Sequence, residues 1–321
     1  MSNFWTTLRK PIKALAPMED VTDTVFRRIV ASCGRPDVFF TEFTNTDGMC
    51  SEGRDAVIHR LQFTEGERPI VAQIWGNNPE HYLRAARDLR EMGFDGIDIN
   101  MGCPVRKIVK NGSCSGLIEN RPLAQELVLA AKEGAGDLPV SVKTRLGFRR
   151  IETEEWAAFL LSLDPAVLTM HGRIAKELSE FPAKWEEIGK VVRLRNELGS
   201  STLILGNGDV MSLREIDEKV GTYGVDGVMV GRGIFQNIFL FNPVRAEIEV
   251  EPADRIELLR EHIALYRRTW GGDKNFEIMK KFVKVYISSF TGAAKLRGLL
   301  MEASSYEEID EILATWPTAV A

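Results

Sequence analysis

The sequence predicts an α/β fold: a (β/α)8 TIM barrel followed by a small all-helical C-terminal domain. Short apolar runs rich in β-branched residues recur eight times through the first three-quarters of the 321 residues, at intervals of a few tens of residues. Helical patterns separate them. Each run is nearly all apolar until its last residues, as in parallel strands buried on both faces. After Gly233 the strand pattern stops and only helical patterns follow. Eight strand–helix units in about 240 residues match a closed barrel. An open doubly wound sheet is the alternative, but it usually carries a glycine-rich turn after its first strand. Here that strand runs into Pro17-Met18-Glu19-Asp20.

The runs are IKALAPM (12–18), VFFTEF (38–43), IVAQIWG (70–76), GIDINMG (96–102), VSVKTRLG (140–147), VLTMHGR (167–173), TLILGNGD (202–209) and GVMVGRG (227–233). The helical patterns include residues 78–93, 122–134 and 185–199. In the first, Asn78 is placed to cap, Pro79 suits the first turn and Gly93 the end. Residues 247–254 read as a linker. The barrel domain is therefore expected over 1–245 and the helical domain over 254–321. The second domain should hold helices over 253–272, 275–290, 293–303 and 305–316. Gly271-Gly272 end the first, and Ser305 with Glu308 make a capping box for the last.

The chain is 44% hydrophobic and 27% charged, with a formal charge of −5. That excludes a disordered or collagen-like protein and a histone-like basic coat. No apolar run is long enough to span a membrane, and the first residues lack the apolar stretch of a signal peptide. The four cysteines, Cys33, Cys50, Cys103 and Cys114, form no C-x-x-C pair. A structural zinc site and a disulfide framework are not expected, and the chain fits a reducing cytoplasm. No long exposed apolar heptad occurs, so a monomer is expected.

In barrels of this type the chemistry sits at the C-terminal strand ends. There the sequence places Met18, Glu42, Gln73, Asn100 with Cys103, Lys143 with Arg145, His171 with Arg173, Asn207 with Asp209, and Gly231-Arg232-Gly233. The last two strands end in Gly206-Asn207-Gly208-Asp209 and Gly231-Arg232-Gly233. Glycines there suit a phosphate, because backbone N–H groups can approach an anion closely. Glycines required by turn conformation alone are the alternative. Lys143 is a Schiff-base nucleophile, a stabiliser of negative charge on a cofactor, or half of a buried ion pair with Glu42 or Asp98. Gly102 and Pro104 fix a sharp turn that presents Cys103 as proton donor or nucleophile. Cys33, Cys50 and Cys114 read as inert. His171, at a strand end before Gly-Arg, is a functional candidate without the ligand spacing of a metal site.

Residues 262–300 carry eight lysines and arginines against two acids, and Lys280, Lys281 and Lys284 share one helical side near Tyr286 and Phe290. A polyanion partner, RNA or DNA, is one reading and a solvated helix face the other.

Several stretches, taken in order, resemble the tRNA-dihydrouridine synthase family over nearly the whole chain. They are ALAPMEDVTDTVFR (14–27), TEF (41–43), AQIWG (72–76), DINMGCPVRKIVKNG (98–112), VKTRLG (142–147), HGR (171–173), GNGD (206–209), GVMVGRG (227–233) and MKKFVKVYISSFTGAAKLR (279–297). The resemblance implies an FMN-dependent oxidoreductase that reduces a uridine of the tRNA D-loop, with NADPH as electron source. On that reading Pro17, Met18 and Gln73 contact the flavin ring. Lys143 and His171 hold its polar edge, and Asn207, Gly208, Asp209, Gly231 and Arg232 bind its phosphate. Asn100 and Arg145 touch the flipped uracil, and Cys103 protonates C5 after hydride reaches C6. Lys280, Lys281, Lys284 and Arg297 hold the tRNA. The chain departs from the family pattern at Ile174-Ala175, where Thr-Arg is usual, at Cys114, usually glycine, and at Phe282, usually histidine. These differences lie on the substrate side more than on the FMN side. The competing readings are a flavin barrel acting on a free small molecule, an aldolase-type lyase using Lys143, and an RNA-binding protein without catalysis.

Overall fold

The computed structural model describes residues 3–316. Residues 1–2 and 317–321, at the ends of the two expected domains, lie outside the described residues. One parallel sheet curls into a barrel. Its strands are β1 (Ile12–Leu15), β2 (Phe39–Phe40), β3 (Thr44–Asn45), β4 (Ile70–Trp75), β5 (Gly96–Met101), β6 (Val140–Arg145), β7 (Val167–His171), β8 (Leu203–Asn207) and β9 (Gly227–Val230). They neighbour one another in the order β1-β9-β8-β7-β6-β5-β4-β2. β3 also pairs with β4, further along it than β2, so β2 and β3 share one barrel position. A parallel bridge from Ala14 to Val38 joins the first and second positions. The eight expected strands are present, one of them in two pieces.

The run 38–43 breaks after Phe40 because side chains take over the hydrogen bonding. Thr41 Oγ1 accepts from the Gln73 N–H at 3.1 Å, and Glu42 Oε1 accepts from the Asp20 N–H at 2.7 Å. β1 stops at Leu15, short of the expected 18, because Pro17 has no N–H to extend the ladder. Outside the sheet, Asn78 Oδ1 accepts from the Glu80 N–H at 2.9 Å and opens the helix Pro79–Glu91. At the other end of the barrel, a short 3-10 turn at Phe4–Thr7 buries Trp5 with Ile12, Phe40, Val167 and Met229.

The chain packs as two units. One holds the residues up to Thr24 and Pro36–Gly233; the other holds Val25–Arg35 and the chain from Ile234 onward. The sequence reading drew the break between 245 and 254. In the second unit the ring of Phe26 lies 5.0 Å from Phe282 and 5.9 Å from His262. That aromatic packing ties residues 25–35 to the C-terminal helices. Those helices are Pro252–Trp270, Lys280–Tyr286, Ala293–Glu302 and Tyr306–Thr315. The expected helix 275–290 is split: Phe276–Met279 is a 3-10 turn, and the helix stops at Tyr286 before Ser289 at φ +66. Ser305 Oγ accepts from the Glu308 N–H at 3.2 Å, but the Glu308 carboxylate reaches the Ser304 N–H at 2.7 Å rather than that of Ser305. No helix among the described residues is long and apolar enough to cross a membrane.

Candidate active site

Five of the strand ends, those of β1, β6, β7, β8 and β9, converge on one cavity, and Glu42, Asn100 and Cys103 lie outside its lining. Sheet register sets Asn100 beside Lys143 and His171 beside Asn207. Lys143, His171 and Asn207, with Gly208-Asp209 after β8, Gly231-Arg232 after β9 and Pro17-Met18 after β1, line a cavity of about 190 Å³. Among the expected cofactor residues, Gln73 lies outside that lining and is completely buried. Arg173, to which the sequence reading assigned no role, also lines the cavity. The signal was present in the HGR stretch, but a long cation gives no hint from sequence that it folds back inward.

The cavity holds more positive charge than its own carboxylate neutralises. Lys143 Nζ donates to Asn207 Oδ1 at 3.2 Å. No ion pair joins it to Glu42 or Asp98 among the described residues, so the buried-pair reading of this lysine fails. Burial lowers its pKa to about 8, with Arg145 adding to the effect and Asp98 opposing it. Burial, followed by Lys143, Arg145, Arg173 and Arg232, holds His171 well below the usual histidine range. Its imidazole is therefore neutral. Nε2 faces Arg173 Nη1 at 3.0 Å, so Nε2 accepts and the ring proton sits on Nδ1. Asp209 is the local counter-charge. It accepts from the Ala183 N–H at 2.8 Å, from Arg173, and from Arg232 Nη2 at 3.2 Å. Burial pushes its carboxyl up, but the Arg173 and Ala183 hydrogen bonds outweigh that and hold it low. A carboxylate cannot donate to an anion. Asp209 can instead aim Arg232, which is half exposed and has donors left for a phosphate.

The two glycine-rich ends have different physical reasons. Gly208 sits at φ +123, and an added Cβ would lie 2.7 Å from the Ala183 Cβ. Its conformation demands glycine. Gly231 has no such strain: an added Cβ would find nothing closer than Ala16 Cβ at 3.7 Å. Its missing side chain leaves room beside the cavity, as a ligand needs.

Cys103 is presented from the turn after β5. Asn100 Oδ1 accepts from the N–H groups of Gly102 at 3.0 Å and Cys103 at 2.9 Å. Asn100 Nδ2 donates to Gln73 Oε1 at 2.9 Å. Arg145 is buried, and its Nε donates to the Gly102 carbonyl at 2.7 Å while Nη1 reaches the Leu178 carbonyl at 2.8 Å. The expected uracil contact of Arg145 would thus come from a guanidinium already clamped to backbone. The Cys103 pKa is lowered to about 7: a hydrogen bond from the Cys114 thiol is the largest cause, burial opposes it, and a Val105 backbone bond and Arg145 assist. Cys114 is fully buried at φ +53, and its own pKa is pushed well up by burial and by Cys103. It touches the Cys103 thiol, a contact that the reading of Cys114 as inert did not include. Cys33, by contrast, is pushed up to about 11 by burial. Among the described residues, no cluster of three His, Cys, Asp or Glu side chains is placed to hold a metal ion.

In the second unit the expected basic face divides. Lys281 and Lys284 are exposed. Lys280 is drawn inward, its Nζ 2.8 Å from Glu277 with the side chain only 12% exposed. Arg297 Nη1 donates to the Ile287 carbonyl at 2.8 Å. Tyr286 is buried, its hydroxyl 2.9 Å from His262 Nδ1, so it offers no ring to a base.

Comparison with known proteins follows the same outline. A family model described as "Dihydrouridine synthase (Dus)" matches residues 14–320. A probable tRNA-dihydrouridine synthase 2 of Bacillus subtilis is 45% identical over 314 residues, covering 97% of this chain and 95% of the relative. A probable tRNA-dihydrouridine synthase of Staphylococcus epidermidis is 44% identical over 317 residues, covering 98% and 96%. Among solved structures, histamine dehydrogenase from Rhizobium sp. 4-9 matches with a TM-score of 0.57 at 15% identity, over 78% of this chain and 48% of that one. Morphinone reductase in complex with tetrahydroNAD matches at 0.50 and 16% identity, over 74% and 88%. At those identities the structural likeness shows the barrel fold alone.

Proposed function

This chain belongs to the dihydrouridine synthase family, and from that premise we propose that it reduces a uridine of the tRNA D-loop to 5,6-dihydrouridine, with FMN in the barrel-mouth cavity and NADPH as electron source. The observation that supports this best is the charge imbalance of the cavity, where Lys143, Arg173 and Arg232 face one carboxylate, Asp209. That imbalance suits a bound anion. Bound there, FMN would supply the hydride for C6 of the uracil. Arg232 and the open backbone at Gly231 would take the phosphate, and Pro17 and Met18 would flank the ring. Lys143 spends one hydrogen on Asn207 and keeps donors for an electron-rich ring edge. Neutral His171 would offer its Nδ1–H beside it.

Cys103 would give its proton to C5. A pKa of about 7 leaves thiol available at neutral pH, and the Cys114 S–H stabilises the thiolate that remains. The target base must leave its stack to reach this turn, and exposed Lys281 and Lys284 would meet RNA phosphates.

The acid form of Cys103 is present below its pKa of about 7 and lost above it. Single-turnover uridine reduction should therefore fall as pH rises through that value. Cys114→Gly removes the hydrogen bond that favours thiolate, and glycine tolerates the positive φ. The falling limb should then move to higher pH. A limb that stays in place would remove Cys114 from this tuning.

The reading as a whole is tested by the visible spectrum of the purified protein and by tRNA analysis. Denaturation should release FMN, and a strain lacking the gene should lose dihydrouridine at a D-loop position and regain it from a plasmid copy. A colourless protein that FMN cannot reconstitute would overturn the flavin assignment. Unchanged dihydrouridine, with no second enzyme to account for it, would overturn the substrate.

A further inference from the structure

We infer that Asp98 is a positioning residue that fixes the direction of a buried hydrogen-bond chain ending at the Cys103 turn. Asp98 lies on β5 between Gln73 of β4 and Ser141 of β6, each its register partner. It is completely buried. Its Oδ1 accepts from Ser141 Oγ at 2.6 Å and its Oδ2 from Gln73 Nε2 at 2.6 Å. Gln73 Oε1 accepts from Asn100 Nδ2 at 2.9 Å, and Asn100 Oδ1 accepts from the Gly102 and Cys103 N–H groups.

An amide has a donor end and an acceptor end; a carboxylate only accepts. With Asp98 at the base, Gln73 must point its NH2 downward and its oxygen at Asn100. Asn100 must then point its NH2 at Gln73 and its oxygen at the turn. The acceptor-only group at one end and the two backbone donors at the other therefore orient both amides in the same sense. Each amide has one N–H left over, the kind of donor a flavin or uracil carbonyl accepts. Burial pushes the Asp98 carboxyl up to about 6, against the Ser141 and Gln73 bonds that hold it down. It remains ionised, and an obligate acceptor, at neutral pH. The turn's two backbone N–H donors demand the same order from the far end; a neutral amide at position 98 would keep that order only by turning its NH2 to Ser141.

This rests on the proposed reading of Cys103 only for its consequence in catalysis; the test reads geometry. Asn100→Asp keeps an acceptor for the turn but sets carboxylates at both ends of the Gln73 amide, whose oxygen must then face one of them. Adding Asp98→Asn reverses the whole chain. The new amide at 98 donates to Gln73 Oε1 and still accepts from Ser141. Gln73 then donates to the carboxylate at 100, and that carboxylate still accepts from both turn N–H groups. Asp98→Leu with Asn100→Asp removes the same charge but supplies no donor.

The measurement is the iodoacetamide alkylation rate of Cys103 in the purified protein with its bound cofactor, taken on the high-pH plateau where added charge at 98 or 100 no longer changes the thiolate fraction, mapped by mass spectrometry, together with the thermal midpoint. Asn100→Asp should raise the rate about tenfold, the factor that losing one buried hydrogen bond is worth, or should fail to fold. The Asp98→Asn/Asn100→Asp double variant should return to within about twofold of the parent, the scatter of such cycles. The leucine double variant should not. A reversed-chain variant no better than Asn100→Asp, or a leucine variant that recovers equally, would overturn the proposal. Neither outcome depends on whether the chain reduces uridine, so failure here leaves the proposed activity standing.

Discussion

Replacing Cys103 with alanine is expected to lower single-turnover uridine reduction by about 10²- to 10⁴-fold, the usual contribution of a positioned general acid. Flavin content and the rate of flavin reduction by NADPH should stay near those of the parent. The two halves separate because the residues do. The cavity assigned to the cofactor is lined from β1, β6, β7, β8 and β9, whereas Cys103 stands on the turn after β5 and is absent from that lining. The anchors of the turn are backbone groups: the Gly102 and Cys103 N–H donors to Asn100, and the Cys103 carbonyl that accepts from the Ser115 N–H at 3.3 Å. Alanine keeps all of them. Rapid mixing of the pre-reduced protein with tRNA measures one half, and NADPH mixing without tRNA measures the other. Uridine reduction within about threefold of the parent would take the proton-donor role from Cys103, because the loss would fall about thirtyfold short of the smallest expected effect. An aldolase-type lyase using Lys143 makes the opposite forecast, with little dependence on Cys103 and no flavin at all.

How much of this was legible in the sequence depended on whether the signal was periodic, terminal or folded back. The strands were legible because both of their faces are buried, so each reads as an unbroken apolar run whose first polar residues mark the mouth. Lys143, His171 and Asn207 could be placed together on that ground, and the structure lines one cavity with them. Trp5 was not legible, since one indole in a polar stretch has no period. The roles of Gly208 and Gly231 were indistinguishable on paper, because only φ and the space around an absent Cβ separate a strained glycine from one that leaves room. Lys280 and Lys284 fall on one helical side, four residues apart, yet a single carboxylate, Glu277, turns Lys280 inward and leaves Lys284 in water. The link from Cys114 to Cys103 spans eleven positions interrupted by turns and the short helix Arg106–Lys110, so spacing carries no simple geometric information. The direction of the Asp98–Gln73–Asn100 chain needed strand register, which a list of strands does not contain.

Gly227→Ala is expected to destabilise the barrel by about 3 kcal/mol or more, at or beyond the upper end of what overpacking costs. Gly227 opens β9 and pairs with Ile12 of β1 on one side and Leu205 of β8 on the other. An added Cβ would lie 2.2 Å from the Ile12 carbonyl oxygen and 2.7 Å from the Ile12 Cβ. The first of these is backbone, so no rotamer change relieves it. The seam cannot simply slide, because the preceding residue holds both flanks. The Asp226 carbonyl accepts from the Ile12 N–H at 3.0 Å, while its carboxylate accepts from the Ile204 N–H at 2.8 Å and from Arg195 at 3.0 Å. Shifting β9 to make room therefore strains the joint between the first and last strands, where the barrel closes. Gly221→Ala is the matched control. That glycine lies exposed in the helix Leu213–Tyr223, and an added Cβ would meet nothing within 4 Å. Alanine there should leave stability unchanged or raise it by up to about 1 kcal/mol, through helix propensity and a less flexible unfolded chain. Urea unfolding of both variants decides the matter. A large loss at 227 beside no loss at 221 assigns the cost to closure rather than to glycine replacement as such. Equal midpoints would mean that the β1–β9 joint yields at little cost, and the rigid mouth on which the cavity geometry depends would have to be held from elsewhere.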